Sequence, residues 1–509
     1  MDRENSESLR RFGAPGARGK VMHHSLLSSK RQTIAVAAAV VSGAGAAGPA
    51  VAEHPPPLIG ERPAVERHIE QAEIDRGALT LADLFDAGQA LFDARFNVLD
   101  GQGRPLSTGT GAPRAAGQPA FIRTSGPDSN ACSGCHNQPS SGGAGDFVAN
   151  VFVLAQALDP VTDSVDGAFS NERNTLGMFG AGPIEMLARE MSSDLAAIRE
   201  EARQAAARTR QAQSRPLVAK GVSFGEITVL PDGRVDPTEI EGVDWDLVIK
   251  PFHQKGVVVS LREFTNNAMN HHHGMQAEER FEGDADGDGI ERELTVGDIT
   301  ALTVYQAALP APRPKRPPAP QSRRAVRQGK RLFRAIGCGD CHRPVLTLES
   351  RRFLEPGPWN PPGNLGPSDV DQPFSFDLVQ TSNSPWVRPL PGGGVAVRAL
   401  TDLKRHDLND DELNHFDNEQ VPQGWLTGFA DPESFTVPPE PRPTGAFLTR
   451  KLWDAGNSGP YGHRGDLTTL TEAIWQHGGD ARASRDAFFQ QTAADQATVI
   501  EYLKSLQVP

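Results

Sequence analysis

"ACSGCHNQPSSGG" occupies residues 131–143, and "GCGDCHRPVLTLE" occupies residues 337–349. The 509-residue chain has four cysteines, and all of them lie in these two copies of the pattern C-x-x-C-H. Two thiols at this spacing can bind the vinyl groups of one haem, and the adjacent histidine can then reach the iron. The pattern therefore predicts two covalently bound c-type haems. The predicted attachment residues and proximal ligands are Cys132, Cys135, His136, Cys338, Cys341 and His342.

Two other kinds of site also use paired cysteines. A redox-active C-x-x-C pair has no use for the adjacent histidine and is expected beside a βαβ pattern, which we do not find. A zinc site would require the two pairs to converge across about 200 residues, whereas the cysteine pairs of zinc folds lie much closer together. The haem interpretation accounts for every cysteine in the chain.

The amino-terminal region has the pattern of an export signal. Lys30 and Arg31 precede an apolar run of small residues that ends at Ala50-Val51-Ala52, an A-x-A cleavage site. We expect residues 1–52 to be removed and the mature protein to be periplasmic or secreted, outside the cytoplasm, where haem is attached to cysteine. No other stretch is long and apolar enough to span a bilayer.

The formal net charge is −13, and removal of residues 1–52 makes it more negative. An acidic protein of this kind is a poor ligand for nucleic acid or for an anionic membrane. Its charge could attract a basic redox partner.

A proline-rich, charged segment at residues 311–322 has the composition of a linker. It predicts an N-terminal haem domain over residues 53–310 and a C-terminal haem domain over residues 323–509. "AVRQGKRLFRAIGCGDCH" resembles the first helix and haem turn of class I cytochromes c, and "QATVIEYLKSLQ" resembles their closing helix. We expect a mainly α-helical fold with long loops and two cytochrome c-like domains.

Three further stretches extend the resemblance. "LWDAGNSGPYGHRGDLTTLTEAIWQHGG" (residues 452–479), "TDLKRHDLND" (residues 401–410) and "MFGAGPIE" (residues 178–185) are similar to motifs of bacterial dihaem cytochrome c peroxidases. The nearest branch is that of the dihaem (thiol) oxidoreductases. The resemblance implies that one haem exchanges electrons with a small redox protein, while the other reduces peroxide or oxidises a small substrate.

The same resemblance implies a role for Glu185. It stands where relatives have an acid near the active haem, and a buried carboxyl group there could move a proton. The alternative is an acid placed at a helix amino terminus because it interacts well with the helix dipole. Two other functions remain open for the chain, namely a non-catalytic dihaem electron carrier and oxidation of a partner protein.

The second haem needs a sixth ligand, and no methionine occurs after Met275. In the peroxidases that the chain resembles, a methionine follows the turn histidine by about fourteen residues, and the same count from His463 reaches His477. We therefore expect His342 and His477 to hold the second iron. The alternative is that His477 only caps its helix before Gly478.

The first haem has its candidates in "NNAMNHHHGMQAEERF" (residues 266–281), where relatives place a methionine before the glycine. His273 stands at that position and is the first choice as sixth ligand, with Met275 second. An open sixth position and a merely solvated histidine cluster are the alternatives.

"FEGDADGDGIERELT" (residues 281–295) places carboxylates at alternating positions between glycines, a pattern that suits calcium. A register that starts at Glu282 ends on an acid, whereas one that starts at Asp284 has the better core but ends on Thr295. The alternative is a solvated acidic loop. The expected calcium ligands are Glu282, Asp284, Asp286, Asp288 and Glu293.

Overall fold

A computed structural model gives the architecture of the protein. It describes residues 61–102, 129–146, 148–150, 172–285, 288–382, 384–416, 421, 429, 431–438 and 440–508. The predicted export signal and Asp286 lie outside these residues. Within them, no helix is long and apolar enough to cross a membrane.

Twelve α-helices are described in these residues. They are α1 (Gln71–Asp75), α2 (Leu81–Asp93), α3 (Cys132–Cys135), α4 (Ala181–Thr209), α5 (Leu261–Ala268), α6 (Val296–Ala308), α7 (Pro320–Ala335), α8 (Cys338–Cys341), α9 (Leu378–Ser382), α10 (Leu470–Trp475), α11 (Arg482–Phe489) and α12 (Ala493–Lys504). A π-helical turn (Met269–His273) continues α5, and short 3₁₀ turns cover Pro432–Ser434, Ala455–Asn457 and Gly479–Ala481.

Short antiparallel strands accompany the helices. They are β1 (Val148–Asn150), β2 (Glu172–Asn174), β3 (Gln213–Ala219), β4 (Val222–Val229), β5 (Val235–Asp236), β6 (Arg313–Pro314), β7 (Leu346–Leu348), β8 (Arg352–Glu355), β9 (Phe374–Asp377), β10 (Val387–Pro389), β11 (Val395–Val397), β12 (Arg405–Asp407), β13 (Ala446–Leu448) and β14 (Leu506–Gln507). They form two three-stranded sheets, β3-β4-β5 and β10-β11-β7, and several two-stranded ones. The fold is therefore mixed, and the expectation of a mainly α-helical protein is met only in part.

The proposed linker does not run free between two bodies. Strand β6 pairs with β14 near the carboxyl end of the chain, with Gln507 opposite Arg313, and α7 already begins at Pro320. The chain from Glu61 onward forms one compact unit, and the division into two haem domains at residues 311–322 stays a prediction.

A pair of crossed helices backs the first cysteine motif. Helix α2 meets α6 at Gly88, where a Cβ atom would lie 2.2 Å from the carbonyl oxygen of Ala301. Only glycine lets the two helices approach this closely. One turn later, the ring of Phe92 lies 5.2 Å from that of Tyr305 and 6.2 Å from that of His136, measured between centroids.

A second pair of helices repeats this arrangement at the other motif. Helix α7 meets α12 at Gly329, where a Cβ atom would lie 1.8 Å from the carbonyl oxygen of Thr498. Phe333 then lies 5.6 Å from Tyr502 and 6.2 Å from His342, again between ring centroids. The two motifs therefore share more than C-x-x-C-H. Each is also backed by a glycine, a phenylalanine and a tyrosine in equivalent contacts, a similarity that we did not predict from the sequence.

A buried ionic cluster ties the middle of the chain to its last third. The carboxylate of Asp244, which is fully buried, accepts hydrogen bonds from Lys250 at 2.5 Å and Arg405 at 2.7 Å and two from Arg442. Burial alone would raise the pKa of Asp244, but the three cations together hold it well below its usual value. Because a lone buried charge is costly, removal of any partner would weaken this connection.

We expect Gly329→Ala to destabilise the protein by about 1–3 kcal/mol, because the added methyl group collides with a backbone carbonyl that cannot move independently of α12. Urea unfolding followed by circular dichroism measures the change. Gln321→Ala, at an exposed position of the same helix, is the matched control. Equal stability of the two variants would contradict the close helix crossing.

Candidate functional site

The first cysteine motif forms a single helical turn, α3, and His136 follows it directly. The Nδ1 atom of His136 lies 3.0 Å from the carbonyl oxygen of Leu176 and 3.3 Å from that of Gly143. Carbonyl oxygens only accept hydrogen bonds, so Nδ1 carries the proton. The Nε2 atom is then the nitrogen that can bind a metal, with its ring held in place by the backbone.

The second motif has the same construction. Helix α8 spans the two cysteines, and the Nδ1 atom of His342 lies 3.2 Å from the carbonyl oxygen of Leu400 and 3.1 Å from that of Arg450. Both proximal histidines are thus oriented by a pair of carbonyl oxygens, and both offer Nε2. This second layer of hydrogen bonds is what an iron-binding imidazole requires.

The protonation states suit covalent haem. Burial lowers the pKa of His136 and of His342 to about 4, so both imidazoles are neutral and able to bind a metal at physiological pH. Burial raises the pKa of the Cys132 and Cys338 thiols to about 12. A redox-active pair needs an easily formed thiolate, so these thiols do not suit that role. None of the four cysteines forms a disulfide bond, so both pairs are available for the attachment of haem.

The zinc interpretation lacks a site that unites the two motifs. Among the described residues, one group offers three metal-ligand atoms close together, and it contains Cys341, Asp402 and His406. It takes a single cysteine from one motif. The residues of each motif therefore fit a haem of their own.

His477 lies just beyond α10, near His342. Its Nδ1 atom is 2.7 Å from the carbonyl oxygen of Ala473 and so donates a hydrogen bond, which leaves Nε2 as the ligand atom. After burial, the largest contribution that lowers the pKa of His342 is the charge of His477, so the two imidazoles are neighbours. The bond to Ala473 is the helix-capping contact raised as the alternative, and the role of His477 as an iron ligand stays a prediction.

At the first site, the histidine predicted from sequence, His273, lies beside the cysteine motif. The Nδ1 atom of His273 donates to the carbonyl oxygen of Ser129 at 2.6 Å, and its Nε2 atom lies 3.3 Å from the sulfur of Cys132. His273 is therefore directed at the cysteine. Burial is the main cause of the low pKa of His136. A charge on His272 also lowers this pKa, whereas the hydrogen bond with Gly143 raises it. Met275 is fully buried in the apolar core.

The π-helical turn affects the directions of these side chains. It carries all three histidines and ends at Gly274, whose φ of 71° is left-handed. A π turn takes more residues than an α turn, so side-chain directions change within it. Spacing along the sequence cannot locate such a turn.

Glu185 holds the helix that leads to this turn. Its buried carboxylate pairs with Arg189 and accepts a hydrogen bond of 2.8 Å from the backbone N–H of Leu261, the first residue of α5. Burial raises its pKa. The described contacts give Glu185 a positioning role and place neither cysteine motif against it.

Glu263, which the sequence analysis overlooked, lies on α5 itself and is buried. Burial raises its pKa to about 7, although its carboxylate accepts a hydrogen bond of 2.7 Å from the N–H of Val259. A group with this pKa can gain or lose a proton near neutral pH. The only sequence signal was an acid in the first turn of a helix, which is common.

Two of the predicted calcium ligands have other partners in the described part of the acidic loop. Asp284 accepts hydrogen bonds of 3.0 Å from the N–H groups of Asp288 and Gly289. Glu293 is 2% exposed, and its two oxygens accept from the N–H and the side-chain amide of Gln276, both at 2.7 Å. Glu293 is therefore engaged elsewhere, and the calcium site stays a sequence-based prediction.

His406 also went unassigned, although its motif had been singled out. Its Nε2 atom lies 2.9 Å from Asp402, and it hydrogen-bonds the sulfur of Cys341. Burial lowers its pKa, but these two partners outweigh burial and raise the pKa to about 10. A positive charge therefore stands beside the second motif.

A short bridge connects the two proximal histidines. Leu176, whose carbonyl oxygen holds His136, is followed by Gly177, and Arg450, whose carbonyl oxygen holds His342, is followed by Lys451. The Nζ atom of Lys451 donates a hydrogen bond of 2.9 Å to the carbonyl oxygen of Gly177. The side chain of Lys451 therefore connects the backbone segment that holds His136 to the segment that holds His342.

No family model matches the chain, and no curated protein sequence matches it. Among solved structures, hydrazine synthase of Kuenenia stuttgartiensis is similar with a TM-score of 0.35 and 13% sequence identity, over 90% of this chain and 100% of that chain. A MauG-like protein associated with microbial copper homeostasis is similar with a TM-score of 0.25 and 17% identity, over 56% and 77%. Both likenesses are distant, and the residues of this chain carry the function inferred for it.

We expect Glu263→Gln to stabilise the protein at pH 8 by about 1–3 kcal/mol and to change little at pH 4.5. The native state keeps the proton of Glu263 up to about pH 7, whereas the unfolded state releases it near the ordinary value of 4.5. Native stability therefore falls as the pH rises through this window, and the neutral glutamine avoids that loss.

Thermal unfolding of both proteins between pH 4.5 and pH 8 measures this difference. Glu226→Gln, at an exposed position, is the control and should show no such pH dependence. A Glu263→Gln variant with the same pH profile as the unaltered protein would show that Glu263 ionises normally.

Proposed function

We propose that the protein is an exported dihaem c-type cytochrome that passes electrons between two covalently bound haems. One observation carries the proposal. Each C-x-x-C-H motif holds its histidine by carbonyl oxygens at Nδ1, so that a neutral imidazole offers Nε2 beside two cysteines that form no disulfide. When bound, each haem supplies an iron that cycles between two oxidation states.

The protein's own residues set the axial ligands. We assign His342 and His477 to the second iron, and His136 with His272 to the first. His477 donates its Nδ1 hydrogen to the carbonyl oxygen of Ala473, so its Nε2 atom is available. His272 lies in the π-helical turn, where the neighbouring His273 contacts Cys132. Two histidine pairs favour electron transfer over catalysis, because neither iron then has an open position. Imidazole also favours the oxidised state compared with a methionine ligand, so both potentials should be low.

The bridge between the proximal histidines supports electron exchange within the chain. Lys451 is buried, and its ammonium group pairs with Asp454 at 2.7 Å. Burial lowers the pKa of Lys451 to about 8 despite this partner. The lysine keeps the backbone segments behind His136 and His342 at a fixed separation, which a one-electron transfer between two sites requires.

A peroxidase-like oxidoreductase is the second candidate. The observation that favours it is Glu263, a carboxyl group with a pKa of about 7 on the helix that leads to His272. Glu185 accepts a hydrogen bond from the backbone N–H of Leu261, the first residue of the same helix. If His272 dissociates from the first iron, a coordination position becomes free for substrate. Glu263, on the helix that leads to His272, would then be the group that exchanges protons.

Carbon monoxide binding to the reduced protein separates the two functions. The electron carrier should bind no carbon monoxide, whereas the peroxidase-like enzyme should bind it at one haem and consume peroxide. Both irons are expected to be closed in the unaltered protein, because each has two histidines.

Single glycine substitutions identify the ligands. His477→Gly and His272→Gly should each open one of the two haems to carbon monoxide. His273→Gly is the matched control, and it should leave both closed, because His273 contacts Cys132. If His273→Gly opens the first haem to carbon monoxide and His272→Gly does not, the sixth ligand is His273, as the sequence predicts. Unchanged spectra in His477→Gly would refute the histidine pair at the second site.

A further inference from the structure

The segment around the second motif has a charge opposite to that of the chain. Residues 313–343 contain ten lysines and arginines and one acid, Asp340, whereas the whole chain has a formal net charge of −13. By contrast, α2, the equivalent helix at the first motif, contains three aspartates and no basic residue. The two haem motifs therefore lie beside surfaces of opposite sign.

The basic side chains of α7 share one side of the helix. Gly329 and Phe333 face α12 and are buried, and the basic residues project from the opposite side, as helical spacing requires. We call this surface, together with an exposed arginine that follows β11, the basic face. It consists of Arg324, Arg327, Lys330, Arg331, Arg334 and Arg398, all exposed.

Among the described residues, no carboxylate pairs with the charges of the basic face. Burial lowers the pKa of Lys330, and the nearby charges of Arg334 and Arg398 lower it further. No carboxylate contributes in the opposite direction. In the described part of the chain, no salt bridge involves any of the six residues. Unpaired like charges this close repel one another, so an anionic partner would stabilise the face.

The basic face borders the second haem motif. The side chain of Arg334 packs against Gly339, between the two cysteines, with its Cγ atom 3.6 Å from the position of a Cβ at that glycine. Arg398 lies two residues before Leu400, whose carbonyl oxygen holds His342. The basic face therefore lies next to the residues of the second haem motif.

We propose that the basic face docks a small acidic redox protein that exchanges electrons with the second haem. This inference rests on the two-haem function proposed above. Complementary charge raises the rate of encounter and orients the partner, while the small contact area of such complexes allows rapid release. The aspartates of α2 would repel the same partner from the first motif, so the face also selects which haem it meets.

An anionic membrane fits the basic face less well. A helix that binds at a membrane surface inserts a free apolar side between the lipids. The apolar side of α7 is already occupied, since Phe333 packs on Tyr502 and Gly329 lies against the backbone of α12. The face offers charge without an apolar surface to insert. The net charge of the chain led us to expect a basic redox partner, whereas the basic face favours an acidic one.

The test measures how fast the oxidised protein, with its haems attached, is reduced by two donors in stopped flow: a reduced acidic blue-copper protein and a reduced basic c-type cytochrome. For the acidic donor, we expect a second-order rate constant that falls at least tenfold between low and high salt. Arg327→Glu/Arg331→Glu should lower the low-salt rate by about tenfold or more and should favour the basic donor instead. Arg327→Gln/Arg331→Gln should lie between the two.

The matched control is Arg203→Glu/Arg208→Glu, which makes the same charge change at two exposed positions of α4. It should reduce the rate by less than about twofold. Faster reduction by the basic donor at low salt, or equal effects of the two reversals, would overturn the docking proposal. Binding of the protein to phosphatidylglycerol vesicles that is lost in Arg327→Glu/Arg331→Glu, with unchanged donor rates, would assign the face to a membrane and overturn it too.

Failure of the two-haem function would look different. Dithionite reduction and haem content are recorded for every variant before the donor is added. A chain that lacks the second haem, or whose haems dithionite cannot reduce, refutes the function itself. A fully reducible dihaem protein without salt-dependent reduction by the acidic donor refutes the docking alone.

Discussion

The hydrogen bond from Lys451 to the carbonyl oxygen of Gly177 is the contact on which the candidate site depends. The preceding residue of each partner, Arg450 and Leu176, holds a proximal histidine through its own carbonyl oxygen. This bond therefore links the two backbone segments that orient the imidazoles. Asp454 keeps the lysine charged in a buried place, where an ammonium group without a partner would lose its proton.

The packing around this bond supports the same geometry. Trp453 is fully buried and lies against Gly180, the residue before α4, where a Cβ atom would be 2.3 Å from the indole ring. Gly180 has a left-handed φ of 75°, so the turn and the close approach both require glycine. Helix α4 then carries Glu185, which binds the start of α5. A continuous set of contacts thus runs from Lys451 to the helix that ends in the histidine turn.

The cysteine motifs carry most of what could be predicted about the site. The carbonyl oxygens that orient His136 and His342 suit the haem interpretation, and the choice of His477 as a ligand stays a prediction. The choice of His273 stays a prediction; the residue lies in a π turn, with its Nε2 atom 3.3 Å from the sulfur of Cys132. Glu293 fits the spacing of a calcium loop, yet tertiary contacts with Gln276 engage its carboxylate.

The fold was harder to predict than the site, for a physical reason. Strands such as β7 and β10 have three residues each, which is too short for alternation of apolar and polar side chains to be detected. The duplicated contacts of Gly88 with α6 and Gly329 with α12 were in principle visible, since each glycine precedes a phenylalanine by four positions. Their meaning depends on partner helices more than 160 residues away in sequence, such as α12 for Gly329, so local patterns did not reveal it.

The mass of the mature chain tests the central claim most directly. Expressed with the machinery that attaches haem, the unaltered protein should carry two haems. Cys132→Ser/Cys135→Ser and Cys338→Ser/Cys341→Ser should each carry one, with the absorbance of the remaining haem preserved. A mature chain without covalent haem, or one whose mass is the same in all three proteins, would contradict the account.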